Sequence, residues 1–235
     1  FTKYGPADPR IDMVQLKKNA GAWTEEIGDE CLMIVAITGA SGSGKSTLAQ
    51  SLVKSRLGVA SGPAACLLSL DAYYRDLSHL SLAQREGVNF DRIEAIDLPL
   101  FCDHLSKLKS GGQIEVPRYD FSKHTRIADH TDVLGPAQLV VVDGLLLGAW
   151  AELTSNVDYT IFVDTPTNVC LQRRLQRDCG ERGRSEASVH EFWNSRVLPE
   201  FQRWGEGAKR RADLVVSGEV PTAVATAEVW DALPF

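Results

Sequence analysis

At 235 residues the chain has the length for one α/β domain with a sizeable core and a small appendage. Its 44% apolar and 24% charged residues are ordinary for a globular protein, and a net charge of −6 gives no support to a nucleic-acid partner. Cys31, Cys66, Cys102, Cys170 and Cys179 are scattered, odd in number and without C-x-x-C spacing, which argues against a disulfide framework or structural zinc and fits a reducing, cytoplasmic compartment; no apolar run approaches the roughly 18 to 20 residues that span a bilayer.

Residues 1–30 mix glycine, proline and charge around a short helix expected at 11–18, and read as an arm ahead of one domain over 31–235. They contain no secretory apolar core. Leu32-Met33-Ile34-Val35-Ala36-Ile37 is continuously apolar, which predicts a parallel strand buried on both faces. Gly39-Ala40-Ser41-Gly42-Ser43-Gly44-Lys45-Ser46-Thr47 follows and satisfies the phosphate-loop pattern G-x-x-x-x-G-K-[ST]. Leu48, Leu52 and Val53, with Leu57 four further on, then mark a helix; Lys54 and Arg56 suit its negative end and Gly58 its termination. Strand, glycine loop and helix in that order aim backbone N–H groups and a helix N-terminus at one point, and a Cβ in the loop would hold a phosphate away from those amides. Lys45 suits the β- and γ-phosphates and Ser46 a Mg²⁺ ion. Gly39, Ser41, Gly42, Ser43, Gly44, Lys45, Ser46 and Thr47 are therefore the candidate residues for a nucleoside triphosphate.

Further strands are predicted at 66–70, 139–142, 159–163 and 213–217, which makes a five-stranded parallel sheet with helices on both faces. Several of these runs end on an acid, Asp71, Asp143 or Asp164, and ligands of such sheets bind beyond the carboxyl ends of the strands. Asp71 suits a base that accepts the proton of an attacking hydroxyl, or else a helix cap or turn acid. Asp143 resembles a Walker-B acid that holds Mg²⁺ directly or through water, although strands also end on aspartate for turn chemistry.

Residues 72–138 form an excursion between the second and third strands, a candidate second-substrate site by position. Within it a helix is expected after Asp97, a turn at Gly111-Gly112, and an edge strand at Ile114-Glu115-Val116-Pro117-Arg118-Tyr119. Ser110-Gly111-Gly112-Gln113 imitates the signature of ABC-transporter ATPases. Those enzymes, however, carry a catalytic glutamate where Gly144 stands, and no N-K-x-D motif marks a GTPase. The segment Tyr119 to Arg126 joins aromatics that suit a planar base to His124 and Arg126, which suit its edge; the plainer alternative is a half-buried strand and a surface histidine. Thr165-Pro166-Thr167 reads as a helix start with Thr165 at the cap. Arg173, Arg174, Arg177, Arg182 and Arg184, punctuated by glycines, read as a mobile flap over a triphosphate, against the alternative of a solvated helix face and a turn.

Taken together, these motifs resemble the phosphoribulokinase/uridine kinase family from about residue 32 to about residue 220. The resemblance rests on the phosphate loop, Leu70-Asp71-Ala72-Tyr73-Tyr74-Arg75-Asp76-Leu77-Ser78, Asn89-Phe90-Asp91, Pro117-Arg118-Tyr119-Asp120-Phe121 with His124 and Arg126, and Arg177-Asp178 with Glu181-Arg182-Gly183-Arg184. It implies a P-loop NTPase fold of the nucleoside-kinase type: a five-stranded parallel sheet, a small β-hairpin in the substrate region, and an arginine-rich lid over 173–186. It also implies a kinase that uses ATP (or GTP) and Mg²⁺ to phosphorylate the 5′-hydroxyl of a pyrimidine nucleoside, uridine or cytidine. Asp71 then matches the base, with Lys45 and Arg174 beside it in catalysis and Arg177 and Arg182 on the phosphates. Tyr74, Phe90, Asp91, Tyr119, Phe121, His124 and Arg184 match the nucleoside site, Asp91 on ribose hydroxyls and His124 and Arg184 at the pyrimidine edge, while Ser46 and Asp143 match the metal site. Family members are often tetramers, which implies a homo-oligomer, tetramer or dimer.

The chain departs from the family pattern at Arg92-Ile93 (His-Pro is common there), at Asp143-Gly144-Leu145 (for E-G-[IL]), and at Phe192-Trp193 (for Gln-Tyr). Two other readings accompany these departures: a related kinase of another small hydroxyl acceptor, sugar-like, pantothenate-like or nicotinamide riboside, and a nucleotide-binding regulatory relative without turnover.

Overall fold

In the computed structural model, which describes residues 33–56, 65–149 and 156–234, strand β1 (Met33–Gly39) is buried at every position. Met33, Val35 and Ile37 enter one core with Leu48, Leu52 and Val229, whereas Ile34 and Ala36 enter a second with Phe101, Leu105 and Val142. A strand apolar on both faces belongs at the centre of a sheet, and β1 lies there. The expected arm at 1–30, its helix at 11–18, and Leu32, Leu57 and Gly58 lie outside the described residues.

The chain continues through α1 (Lys45–Arg56), β2 (Ala65–Ser69), α2 (Leu82–Glu86), α3 (Leu98–Lys109), β3 (Ile114–Asp120), β4 (Thr125–Leu134) and β5 (Leu139–Asp143). It ends with β6 (Tyr159–Asp164), α4 (Thr167–Glu181), α5 (Glu186–Phe192), α6 (Leu198–Arg211), β7 (Leu214–Ser217) and α7 (Thr222–Ala232). Five strands form a sheet in the order β2-β5-β1-β6-β7, with every neighbour parallel. Parallel neighbours require crossovers, and helices cover both faces: α1 and α7 contribute to the first core and α3 to the second. The α/β P-loop architecture expected from the sequence is the one observed.

The excursion holds the expected helix and hairpin. The Asp97 side chain accepts from the Leu100 N–H at 3.4 Å to cap α3, Lys107 and Lys109 sit in its last turn, and Gly111 follows at φ +77°. β3 and β4 pair antiparallel with an irregularity between Pro117 and Tyr119, where proline lacks the N–H a regular ladder needs. Two expectations are corrected. β2 ends at Ser69, so Asp71 sits on a 3₁₀ turn, Leu70–Tyr73, rather than on a strand end. Thr165 is not a helix cap: Pro166 holds that position, and the buried Thr165 hydroxyl donates to the Ser43 carbonyl at 2.9 Å. The helical path from α5 to α6 is interrupted by one π turn, Trp193–Val197, whose Trp193 packs with Ala40 of the phosphate loop.

Gly144 is needed for a close approach, because a Cβ there would lie 2.6 Å from Leu70 Cβ, beside the Asp71 turn. Gly144→Ala is expected to lower unfolding free energy by about 1–3 kcal/mol, measured by urea denaturation. Gly180→Ala, in α4 with nothing within 4 Å of the new methyl, is expected to be neutral or stabilising.

Candidate active site

The phosphate loop takes its shape from backbone geometry. Gly42 has φ +84°, and a Cβ there would come within 2.4 Å of the Cys170 carbonyl oxygen. The Ser43 carbonyl accepts from Thr165 Oγ1 at 2.9 Å and from Arg173 Nη1 at 3.2 Å. Across a trans peptide the following N–H points the opposite way, so these two donors aim the Gly44 amide away from themselves. α1 starts at Lys45, which places its unpaired N–H groups at the same point. Ser46 Oγ donates to Asp143 Oδ2 at 2.5 Å, joining loop and β5.

A cleft of about 690 Å³ runs from Ser41, Lys45 and Ser46 to the hairpin. It gathers Asp71, Tyr74, Phe90, Asp91, Tyr119, Phe121, His124, Arg174, Arg177, Arg182 and Arg184 from the sequence-derived site. Gly39, Gly42 and Ser43 shape the loop behind it, and Asp143 lies buried behind Ser46. Loss of solvent pushes the Asp71 carboxyl up; Lys45 opposes this and Asp143 adds to it. Loss of solvent likewise pushes the Lys45 ammonium down, against Asp71 and Asp143. Asp91 is raised by desolvation, with Arg174 and Lys45 opposing. His124 is held below its usual range by burial and then by Arg184, which favours a neutral imidazole.

The hairpin end of the cleft is aromatic. Tyr74 packs on Phe90 at 5.2 Å and on Tyr119 at 5.3 Å between centroids, and His124 stacks on Phe90 at 5.4 Å with 18° between planes. Arg126, expected at a base edge, does not line the cleft. Its guanidinium bonds the carbonyls of Tyr73 and Tyr74 instead.

The arginine segment also differs from the expected flap. α4 extends to Glu181, so Arg173, Arg174 and Arg177 are helical, and only the turn after Glu181 carries Arg182 and Arg184. Cys170, Arg174 and Asp178 are the buried positions of that helix, four residues apart on one face. Asp178 accepts from Arg177 Nε at 2.8 Å and pairs with Arg174 at 3.3 Å and Arg182 at 3.6 Å. Burial pushes this carboxyl up, but the three guanidinium groups outweigh it and hold it below the usual range. Arg174 Nη1 reaches on to Ser41 Oγ at 2.8 Å, tying α4 to the loop.

Several lining groups carry no site motif in the sequence. Phe192, noted only as a departure, stands in the cleft with Arg184 at 5.2 Å and Arg196 at 4.5 Å over its ring. Glu86 and Asn89 enter from the excursion. A second cleft of about 420 Å³ flanks the loop, lined by Gly44, Thr47, Arg173 and residues 216–222. The β7–α7 turn that builds it carries no motif.

Among the described residues no group of three or more His, Cys, Asp or Glu could hold a metal alone. The Ser46–Asp143 pair fits Mg²⁺ nonetheless, because that ion takes one or two hard oxygen ligands from protein and the rest from phosphate and water. The four cysteines among the described residues are free, and none of the described helices is long and apolar enough to cross a membrane.

A family model described as the Phosphoribulokinase / Uridine kinase family matches residues 34–225. A uridine kinase of Shewanella baltica is 38% identical over 194 residues, covering 83% of this chain and 91% of that protein. One from Proteus mirabilis is 40% identical over 183 residues, 78% of this chain and 85% of that protein. Among solved structures, D-glycerate 3-kinase from Cryptococcus neoformans var. grubii is similar with a TM-score of 0.58 and 17% identity, over 88% of this chain and 94% of that one, a likeness of fold.

The two perturbed carboxylates give opposite pH signatures. Asp71, raised in the folded state, contributes stability that is full below its unfolded pKa of 3.8 and lost as pH rises through the folded value. Asp71→Asn, which holds the uncharged form, is therefore expected to raise the urea midpoint at neutral pH, with the difference vanishing near pH 3. Asp178 contributes stability above 3.8 that is lost as pH falls through its lowered folded value. Asp178→Asn is expected to lower the midpoint at neutral pH, again measured by urea denaturation.

Proposed function

The chain belongs to the phosphoribulokinase/uridine kinase family, and on that premise we propose that it transfers the γ-phosphoryl group of ATP to the 5′-hydroxyl of a pyrimidine nucleoside, uridine or cytidine. The observation that carries this reading is one continuous cleft with the phosphate loop at one end, the aromatic hairpin pocket at the other, and Asp71 among its walls. The uridine kinases matched over most of their length support the choice of acceptor.

In the proposed reaction Asp71 takes the proton of the 5′-hydroxyl as its oxygen attacks the γ-phosphorus, and ADP leaves. Its raised pKa suits a proton acceptor working nearer neutrality than a free carboxylate. Lys45, Arg174, Arg177 and Arg182 balance the charge spread over the phosphoryl oxygens. Mg²⁺ held by Ser46 and Asp143 would add positive charge at the phosphates. Tyr74, Phe90, Tyr119 and Phe121 hold the faces of the nucleoside, His124 and Arg184 stand at the base edge, and Asp91 accepts from ribose hydroxyls. The donor base occupies the second cleft. Arg173 joins its floor to the loop by donating to Ser43 and, at 2.9 Å, to the Gly218 carbonyl.

Asp71→Asn is expected to lower nucleoside-dependent turnover about 10²–10⁴-fold while ATP still binds, read by a coupled ADP assay beside calorimetry; near-normal turnover would remove Asp71 as the base. Asp143→Asn is expected to raise the Mg²⁺ concentration for half-maximal rate about 10-fold or more. A Mg-ATP screen over uridine, cytidine, purine nucleosides, nicotinamide riboside and small sugars tests the acceptor, and strong turnover with a non-nucleoside alone would overturn the proposal.

A further inference from the structure

We propose that Arg126 is a positioning residue that makes the Asp71 turn and the aromatic hairpin one mechanical unit. The inference rests on the reading of Asp71 as the acceptor base. Arg126 lies outside the cleft, yet its guanidinium meets three acceptors: Nε donates to the Tyr74 carbonyl at 2.8 Å, and Nη2 to the Tyr73 carbonyl at 3.4 Å and to Asp97 Oδ2 at 3.1 Å. Tyr73 closes the 3₁₀ turn that bears Asp71, and Tyr74 follows it into the cleft. In the hairpin, Arg126 stands opposite Tyr119, another cleft residue.

One side chain therefore touches the segment that carries the base and the strand pair that carries the acceptor wall. Its neighbour reinforces the connection, because Thr125 Oγ1 donates to Asp76 at 2.7 Å and accepts from the Leu77 N–H at 3.0 Å. On its far side the turn is held by the Asp97 N–H, which donates to the Tyr73 carbonyl at 2.8 Å, and by the Arg75 N–H, which donates to Ala95 at 2.8 Å. The Tyr73 hydroxyl is buried against His104 Nδ1 at 2.7 Å. The hairpin-side connection needs arginine because the acceptors lie in different directions. A planar fork with five donors reaches two carbonyls and a carboxylate together, and an ammonium does not reproduce that geometry.

The charges that act most on Asp71 are Lys45, Asp143, Arg182 and Arg177, and Arg126 is not among them. Loss of Arg126 is therefore expected to act on the base through its position. Arg126→Lys is expected to lower kcat at saturating nucleoside about 10-fold or more, with ATP affinity within about twofold and the shape of the pH–rate profile retained. Water then competes for the badly placed phosphoryl group, so ADP is expected to exceed nucleoside monophosphate. Hydrogen exchange at the Arg75 and Asp97 amides is expected to quicken about 10-fold, a readout independent of any substrate. Turnover within about threefold of the parent, a loss matched by ATP affinity, or unchanged exchange would each overturn the proposal. Asp97→Asn keeps the α3 cap and removes the charge partner, and is expected to move the same readouts in the same direction. If Arg126→Lys does not fold while Asp97→Asn is fully active with unchanged exchange, the arginine serves stability alone and the proposal falls. If the parent phosphorylates no nucleoside, the proposed function falls, and the exchange result alone decides the clamp.

Discussion

The alignment of β5 on β1 is the constraint from which the site follows. Ile37 lies opposite Asp143, and the ladder continues one step further as the Gly144 N–H donates to the Ile37 carbonyl at 3.2 Å. Side chains alternate along a strand, so a slip of one residue would present Val142 to Ser46 and turn the carboxylate to the opposite face. With the observed register, Asp143 shares a face with Leu139 and Val141, the face α1 covers. The contact between Ser46 and Asp143 follows from this placement. Gly144 then admits Leu70 at a distance no other residue allows, and Leu70 opens the turn that holds Asp71. The Ser46–Asp143 contact and the placing of the Asp71 turn thus depend on the same strand pair.

Positive charge is the second requirement, and Asp178 makes it tolerable. Arg174, Arg177 and Arg182 would repel one another across the mouth of the cleft, but each meets a carboxylate whose residue is fully buried on α4. A buried acid with three guanidinium partners organises their positions more than it adds to stability, because desolvation offsets much of the attraction. The outcome is a structured arginine face anchored to Ser41.

Local signals in the sequence carried the fold a long way. The five strands, the loop and helix α3 each announce themselves within a dozen residues by apolar continuity, a fixed motif or a cap, and each forms within a residue or two of those signals, although β2 stops at Ser69, short of Asp71. A threonine before proline satisfies cap grammar, whereas the Ser43 carbonyl, distant in sequence, claims the Thr165 hydroxyl. Glycines at 180 and 183 suggested a loose flap, but Gly180 continues the helix and the charge run is balanced internally by Asp178. Arg126 looked like a ligand-facing group because nothing in its neighbourhood reveals that two backbone carbonyls of another element need donors. Phe192 and the second cleft depend on segments brought together only by the finished sheet.

The π turn at Trp193–Val197 separates two jobs that a regular helix would lock in phase. Upstream and inside it, Phe192 and Arg196 line the larger cleft; downstream, Phe201 of α6 stacks on Phe162 of β6, and Arg211 reaches the Gly148 carbonyl. One extra residue in a helix rotates everything before it by about 100° relative to everything after it. Trp193, wedged against Ala40, marks the pivot. Lengthening or regularising this single turn would therefore re-aim Phe192 and Arg196 while Phe201 keeps its place on the sheet.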